Sequence, residues 1–332
     1  MSTRVLLMGL GPIGAAVGRQ LASRRGFRLV AAVDIDPAKV GKDVGELLGL
    51  GRSLGVKVVS DVAAAVKKSK PHVAVLCTTS SLKAAAPQFE SVLKLRVPVV
   101  STTEELAYPW RTNRALAKRL DAVARKAKVA IVGTGVNPGF AMDALPIALT
   151  GICERVDSIR VDRIQDARIR RLPFQKKIGA GMTLQEFERH VASGTVRHVG
   201  LTESIAMIGD AMGWKLDRIT DEIAPKIAEA AVSSEFLDVE PGRVCGIIQD
   251  GRGWRGGEVV VELHMEAYLG APETYDAVHV KGSPELRVKA TGGFHGDVAT
   301  ASIAVNTVPK VLAASPGLHT MRSLALPSFS GA

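Results

Sequence analysis

The chain has 332 residues, of which 46% are hydrophobic and 23% charged, and its formal net charge at pH 7 is +10. That length allows two domains and a large core, and no apolar run is long enough to cross a membrane. The three cysteines are widely separated and lack the spacing of metal ligands. We therefore expect an ordinary globular protein of the cytoplasm, with reduced thiols, no metal site and no membrane association.

The beginning of the chain has the pattern of a strand, a glycine-rich turn, a helix and a second strand. The turn consists of Gly9, Leu10, Gly11, Pro12, Ile13 and Gly14. The first glycine of such a turn permits a sharp bend, the second lets a pyrophosphate approach the backbone, and the third lets the helix pack on the strand. The N–H groups at the start of the helix can bind phosphates. This pattern predicts a dinucleotide site.

Asp34 ends the second strand about 20 residues after the turn, where an acid commonly binds the ribose diol of NAD. A carboxylate there would also repel the 2′-phosphate of NADP. We therefore expect NAD as the main cofactor. The nearby Lys39 and Lys42 leave use of NADP open.

Up to about residue 135 the sequence alternates short apolar strands with helices, which is the rhythm of a doubly wound parallel sheet. Strands are predicted at 4–8, 29–33, 56–59, 73–77, 97–101 and 129–133, with a helix, for example, at 113–126. Further along, the strands read as antiparallel. They are predicted at 156–164, 244–248, 259–268 and 277–280.

The sequence predicts a turn and several helix boundaries in this second part of the chain. A capping box at 183–186 opens one helix, and another helix runs over 203–212. The sequence Asp-Gly-Arg-Gly at 250–253 is predicted to be a hairpin-type turn. Asp297 is a good N-cap for a last helix, at about 298–314, which we expect to return to the first domain.

These elements predict the α/β class, with an N-terminal Rossmann doubly wound parallel sheet and a second α+β domain with a largely antiparallel sheet. The expected boundaries are 1–140 for the dinucleotide-binding domain, 141–290 for a substrate and dimerisation domain, and 291–332 for the returning helix and tail. Apolar residues on the sheet around 244–280 would need a cover, which favours a homodimer.

In a sheet of this kind, ligands bind beyond the carboxyl ends of the strands. The fourth strand ends in Thr78, Thr79 and Ser80, whose small side chains could approach the nicotinamide ribose or simply cap the next helix. The sixth strand ends near Asn137, which suits a nicotinamide carboxamide, although Asn-Pro-Gly is also a common turn. Phe140 could wall a substrate pocket or belong to the core.

The fifth strand ends in two acids, Glu104 and Glu105. One could be a general base near the nicotinamide, or both could favour the dipole of a following helix. Consecutive side chains point in different directions, and we prefer Glu104 as the base. No nucleophilic triad is visible. The scattered histidines are expected to be structural, although His264 could face the substrate.

A basic stretch includes Arg163, Arg168, Arg170, Arg171, Lys176 and Lys177. It could bind a small anion, but a solvated face with salt bridges to Asp162, Asp166 and other carboxylates is the favoured interpretation. No aromatic interleaving or reader motif accompanies the charge, so we expect no nucleic-acid partner.

Several further blocks resemble one enzyme family. They are STTEEL (101–106), GTGVNPGF (133–140), KIGAG (177–181), HVGLTES (198–204), GDVATA (296–301), VNTVP (305–309) and PGL (316–318). They cover nearly the whole chain, which resembles 2,4-diaminopentanoate dehydrogenase and the native amine dehydrogenases. It is more distantly similar to dihydrodipicolinate reductase.

The resemblance implies oxidative deamination of an amine, or reductive amination of a carbonyl compound with ammonia. It also implies that Glu104 is catalytic and that the protein is a homodimer. In such an enzyme Phe140 and Phe174 would be apolar pocket walls that exclude water. The substrate, including whether it carries a carboxylate, stays open. Two alternatives remain: a reductase of imines or carbonyls that does not use ammonia, and a non-catalytic NAD-binding regulator.

Overall fold

The computed structural model describes residues 2–331, and the chain divides into two compact units. Residues up to Phe140 and those from His295 onward form the first domain, and Ala141–Phe294 form the second. Among residues 2–331 no helix combines the length and the apolar character that crossing a bilayer requires.

The first domain is built on a sheet of seven parallel strands. They are β1 (Thr3–Met8), β2 (Phe27–Val33), β3 (Val58–Val59), β4 (Val73–Leu76), β5 (Val99–Ser101), β6 (Ala130–Gly133) and β15 (Gly317–His319). Their spatial order is β15-β6-β5-β4-β1-β2-β3, which reverses between β1 and β4 as in a doubly wound fold. Every residue of β4 is fully buried, because helices cover both faces of the sheet. The predicted parallel sheet is confirmed.

Within residues 2–331, six α-helices belong to this domain. They are α1 (Pro12–Ser23), α2 (Val44–Leu47), α3 (Val62–Ser69), α4 (Leu82–Lys94), α5 (Arg114–Ala127) and α10 (Gly296–Ala313). The last of these packs along α1, where the Gln20 amide donates to Ser302 Oγ at 3.0 Å. The predicted N-cap of α10 is wrong. The cap residue is His295, whose Nδ1 accepts from the Val298 N–H, and Asp297 lies inside the first turn.

The second domain contains a six-stranded sheet and a short two-stranded one. The strands are β7 (Arg155–Asp166), β8 (Arg218–Ile227), β9 (Val232–Ser233), β10 (Asp238–Val239), β11 (Val244–Arg255), β12 (Glu258–Tyr268), β13 (Tyr275–Ser283) and β14 (Leu286–Thr291). The helices are α6 (Ala144–Leu149), α7 (Leu172–Lys177), α8 (Leu184–Ala192) and α9 (Leu201–Ala211). The large sheet has the order β14-β13-β7-β12-β11-β8, and all of its pairs are antiparallel except β7 with β12. The predicted largely antiparallel sheet is therefore confirmed, with one parallel pair.

The predicted turn at 250–253 is wrong, because these residues lie inside β11. The chain reverses instead at Gly256 and Gly257, which have φ values of +60° and +84°. A Cβ atom at either Gly251 or Gly253 would lie 2.8 Å from the side chain of Ile205 on α9. The two glycines of the motif therefore allow close packing of a helix on the strand.

The two faces of β12 differ in character. Leu263, Met265 and Ala267 are buried on the face against which α9 packs. The other face carries the half-buried polar side chains of Glu262, His264, Glu266 and Tyr268. The expectation of an apolar open face is wrong on this strand, so it cannot support the homodimer prediction. That prediction now depends on the family resemblance alone.

Candidate active site

The glycine-rich turn follows β1 directly. Gly9 has a φ of +83°, and a Cβ atom there would lie 2.6 Å from the carbonyl oxygen of Cys77. A Cβ atom at Gly14 would lie 1.8 Å from the carbonyl oxygen of Gly9. At Gly11, by contrast, an added Cβ would meet nothing within 4 Å. Close backbone packing therefore requires glycine at positions 9 and 14, whereas Gly11 borders open space.

The start of α1 is arranged to receive an anion. Its N-cap residue is Gly11, which has no side chain to accept hydrogen bonds from the first turn, and Pro12 follows it. The first N–H groups of an α-helix have no acceptor within the helix. Together with the helix dipole, these groups and the open space beside Gly11 fit a pyrophosphate.

Asp34 stands at the end of β2, beside this turn. Its carboxylate accepts from the Leu10 N–H at 2.7 Å and the Asp36 N–H at 3.0 Å, and the Lys39 ammonium lies 3.2 Å away. Burial alone would raise the pKa of Asp34, but these three donors hold it below its usual value. The group is therefore an anion at neutral pH. This arrangement fits a nicotinamide dinucleotide, with Asp34 toward the adenine ribose.

The segment after β4 contains the predicted hydroxyl residues. Thr78 is exposed, and its methyl carbon would lie 2.9 Å from a Cβ atom placed on Gly9, so it borders the glycine-rich turn. Thr79 Oγ1 accepts from the Ser81 N–H at 3.3 Å, and Ser81 in turn is the N-cap of α4. Helix capping is therefore present. Contact of Thr78, Thr79 and Ser80 with a ribose stays a prediction.

The two acids after β5 have different surroundings. Both are half-buried in a single 3₁₀ turn, Glu104–Leu106. The carboxylate of Glu105 accepts from the Leu82 N–H, the first residue of α4, at 2.7 Å. Within the described residues the Glu104 carboxylate has no hydrogen bond and no ion pair. Of the two, only Glu104 has a carboxylate not already engaged by the protein.

Asn137 lies in a tight loop after β6. It is 7% exposed, and its bond to Pro138 is cis. Gly139 has a φ of +123°, and a Cβ atom there would lie 2.4 Å from the Gly135 nitrogen. The loop is joined to α10 by the Val136 N–H, which donates to Thr300 Oγ1 at 3.3 Å. Phe140 ends the loop and is half-buried. Asn137 therefore sits on the same sheet edge as the glycine-rich turn, since all strands of this sheet run parallel.

Two further groups in the described chain are poor candidates for acid–base or nucleophilic work. Burial raises the pKa of the Cys77 thiol to about 12, so it stays protonated. The pKa of His198 lies well below its usual value because its ring is buried and faces the cations of Lys177, Arg163, Arg170 and Arg197. His198 is neutral as a result. Its Nδ1 atom finds no hydrogen-bond partner among the described residues.

In the second domain the two predicted pocket residues are not brought together. Phe174 packs on the helix-covered side of the sheet, with the Arg170 guanidinium 4.0 Å from its ring centre. His264 lies on the opposite face, where its ring nitrogens are 2.7 Å from Asp250 Oδ1 and 3.1 Å from Glu266 Oε1. A pocket on one side of this sheet can include only one of them.

Two arginines of the basic stretch are engaged in ion pairs within the domain. Arg163 is 2% exposed and pairs with Asp276, and it also donates to the carbonyl oxygen of Phe294 at 2.8 Å. Arg168 pairs with Asp166. The interpretation as salt bridges is confirmed for these two arginines, and the partner of Arg163 is one of the other carboxylates, Asp276 on β13. No local sequence signal identifies Asp276 as that partner, because it is far away along the chain.

Comparison with known proteins places the chain in a family. Residues 140–330 match the family model of the 2,4-diaminopentanoate dehydrogenase C-terminal domain, and residues 3–132 match that of the dihydrodipicolinate reductase N-terminus. The chain is 32% identical to 2,4-diaminopentanoate dehydrogenase of Acetoanaerobium sticklandii, over 98% of this chain and 94% of that one. It is 24% identical to an amine dehydrogenase of Streptomyces virginiae, over 95% and 94%.

A solved structure agrees with these matches. The amine dehydrogenase from Mycobacterium smegmatis superposes with a TM-score of 0.88 at 28% identity, covering 100% of this chain and 98% of that one. The similarity thus spans both domains. The chain belongs to the 2,4-diaminopentanoate dehydrogenase family of NAD(P)-dependent oxidoreductases that act on amines.

Proposed function

We propose that the protein is an NAD-dependent amine dehydrogenase that interconverts an amine with a ketone or aldehyde and ammonia. The observation that carries the proposal is the carboxylate of Glu104. It follows a strand of the parallel sheet, at the edge where the glycine-rich turn also lies, and the described protein gives it no partner. An engaged carboxylate such as that of Glu105 is less available for proton transfer.

Glu104 has three tasks in the synthetic direction. Its carboxylate takes a proton from ammonium or from the adding amine, so that ammonia can attack the carbonyl carbon. It then returns a proton to the hydroxyl group, which leaves as water. The remaining negative charge stabilises the iminium ion that forms. When bound, NADH supplies the hydride that reduces the former carbonyl carbon.

The cofactor contacts are assigned to the first domain. The start of α1 would hold the pyrophosphate and Asp34 the adenine ribose. Thr78, Thr79 and Ser80 would border the nicotinamide ribose, and Asn137 would hold the carboxamide. The preference for NAD follows from the Asp34 charge, which the nearby Lys39 reduces in part, so some NADP use is consistent with the same site.

For the substrate, we retain Phe140 and Phe174 as apolar pocket walls. The two carboxylate partners of His264 favour a structural role for it instead. The family resemblance supports the proposal of a homodimer. A cytoplasmic location is proposed from the three cysteines, which form no disulfide among the described residues.

The proposal is tested by incubating the protein with NADH and a panel of ketones, aldehydes and keto acids, with and without ammonium. NADH oxidation that requires both a carbonyl compound and ammonium supports it. Oxidation without ammonium would instead indicate a carbonyl reductase. NADH binding without turnover on any member of the panel would indicate a regulator. Measurement of the mass in solution at micromolar concentration tests the homodimer, which a monomeric mass would contradict.

A further inference from the structure

Three side chains at the end of β5 and just beyond it are bonded to the end of β4 and the segment that follows it. The hydroxyl of Ser101 donates to the Leu76 carbonyl at 3.1 Å, and that of Thr103 donates to the Thr79 carbonyl at 2.8 Å. The carboxylate of Glu105 accepts from the Leu82 N–H at 2.7 Å. The contacts advance along both segments in step, so the two strand ends are joined side by side.

The residues between these three have other surroundings. Thr102 is half-buried, and the carboxylate of Glu104 has no partner in the described chain. The chain is extended at Thr103 and then forms the 3₁₀ turn Glu104–Leu106, so the bonded side chains of Thr103 and Glu105 flank Glu104. The bonded residues therefore fix the backbone on either side of Glu104 while leaving its carboxylate available.

Glu105 makes the last of these contacts along the chain. Both its carboxylate and its backbone N–H form hydrogen bonds with residues 80–82. Its carboxylate binds the N-terminus of the 13-residue helix α4, where a negative charge is favourable. Its own N–H donates to the Ser80 carbonyl at 3.3 Å. A single residue thus joins the turn that carries Glu104 to the loop proposed to border the nicotinamide ribose.

We propose that Glu105 is a positioning residue of the amination reaction, which holds the Glu104 turn and the 78–81 loop in one fixed arrangement. This inference rests on the proposed function. Reaction rates depend steeply on such placement, and a displacement of about 1 Å can cost a factor of about 100. The hydrogen bond to Leu82 needs an acceptor oxygen but not a charge, which separates this role from that of Glu104.

The test compares Glu105→Ala and Glu105→Met, which remove the acceptor, with Glu105→Gln, which keeps it. Asp61→Ala is the matched control, because Asp61 caps α3 of the same domain through the Ala63 and Ala64 N–H groups. For each variant we would measure the melting temperature, NADH affinity, kcat and the KM values for ammonium and the carbonyl compound.

We expect Glu105→Ala and Glu105→Met to lower kcat by about 10- to 100-fold with smaller changes in KM. Glu105→Gln should keep most of the kcat, and Asp61→Ala should lower the melting temperature but not kcat. The Met variant replaces the Ala variant if the latter fails to fold. Full kcat in the Ala or Met variant, or equal losses in all three Glu105 variants, would overturn the inference alone. Lack of ammonium-dependent turnover by the unmodified protein would remove the proposed function and this inference together.

Discussion

The edge of the first sheet and the interior of the second domain differ in whether their polar and charged groups have partners within the described protein. At the start of α1 the cap position is a glycine, and the Glu104 carboxylate has no partner within the described chain. In the second domain Arg163 is almost completely buried, yet it is bonded to Asp276 and to a backbone carbonyl. Polar groups without protein partners thus mark where a ligand is expected, whereas paired ones hold the fold together.

The largest effect is expected at the unpartnered carboxylate. Glu104→Gln keeps the size of the side chain but removes the base and the negative charge. Ammonium-dependent NADH oxidation should fall by about 100- to 10,000-fold, while NADH affinity stays nearly unchanged. The comparison predicts a far smaller loss for Glu105→Gln. The assignment is wrong if Glu104→Gln keeps more than about a tenth of the activity.

The buried pair tests the other half of the comparison. Arg163→Met leaves Asp276 buried without its partner, and the free energy of unfolding should fall by about 3–5 kcal/mol. Arg155→Met is the control, since Arg155 forms an exposed pair with Asp157 and its loss should destabilise the protein far less. Urea unfolding measures both. Similar losses in the two variants would show that burial of the pair is unimportant.

Asp34 lies between these extremes, because we propose that it binds the adenine ribose while its charge is partly neutralised by Lys39. Asp34→Ser removes the repulsion of a 2′-phosphate. The ratio of NADPH to NADH dissociation constants should fall by about tenfold, equivalent to about 1.4 kcal/mol. Asp36→Ser, at the more exposed neighbour, should change the ratio less. The assignment fails if the unmodified protein already binds NADPH more tightly than NADH.

The smallest effect concerns His264 on the open face of the second sheet. Burial lowers its pKa, but the hydrogen bonds and charges of Asp250 and Glu266 outweigh this and raise it above the usual value. Its charged form therefore stabilises the fold below about pH 6.5, and this contribution is lost as the pH rises through the folded-state pKa. His264→Asn should destabilise the protein more under acidic than under alkaline conditions. Equal destabilisation by His264→Asn under acidic and alkaline conditions would contradict the ion-pair role.

The sequence predicted the parts of the structure that depend on local pattern. The turn from Gly9 to Gly14, the buried parallel strands and the capping box at Thr183 each follow from neighbouring residues. The error at 250–253 came from a distant contact. Gly251 and Gly253 resemble turn residues, but a helix of another segment requires them to be small. In the same way, the bond from Glu105 to Leu82 depends on two strand ends that only the folded sheet brings together.

The most direct test of the central claim uses isotope-labelled ammonium. The unmodified protein would be supplied with NADH, a carbonyl compound that supports turnover, and ¹⁵N-ammonium, and the product would be analysed by mass spectrometry. The account predicts that NADH is consumed only when ammonium is present and that the amine product carries ¹⁵N. Equal NADH consumption without ammonium, with an alcohol as the product, would contradict it.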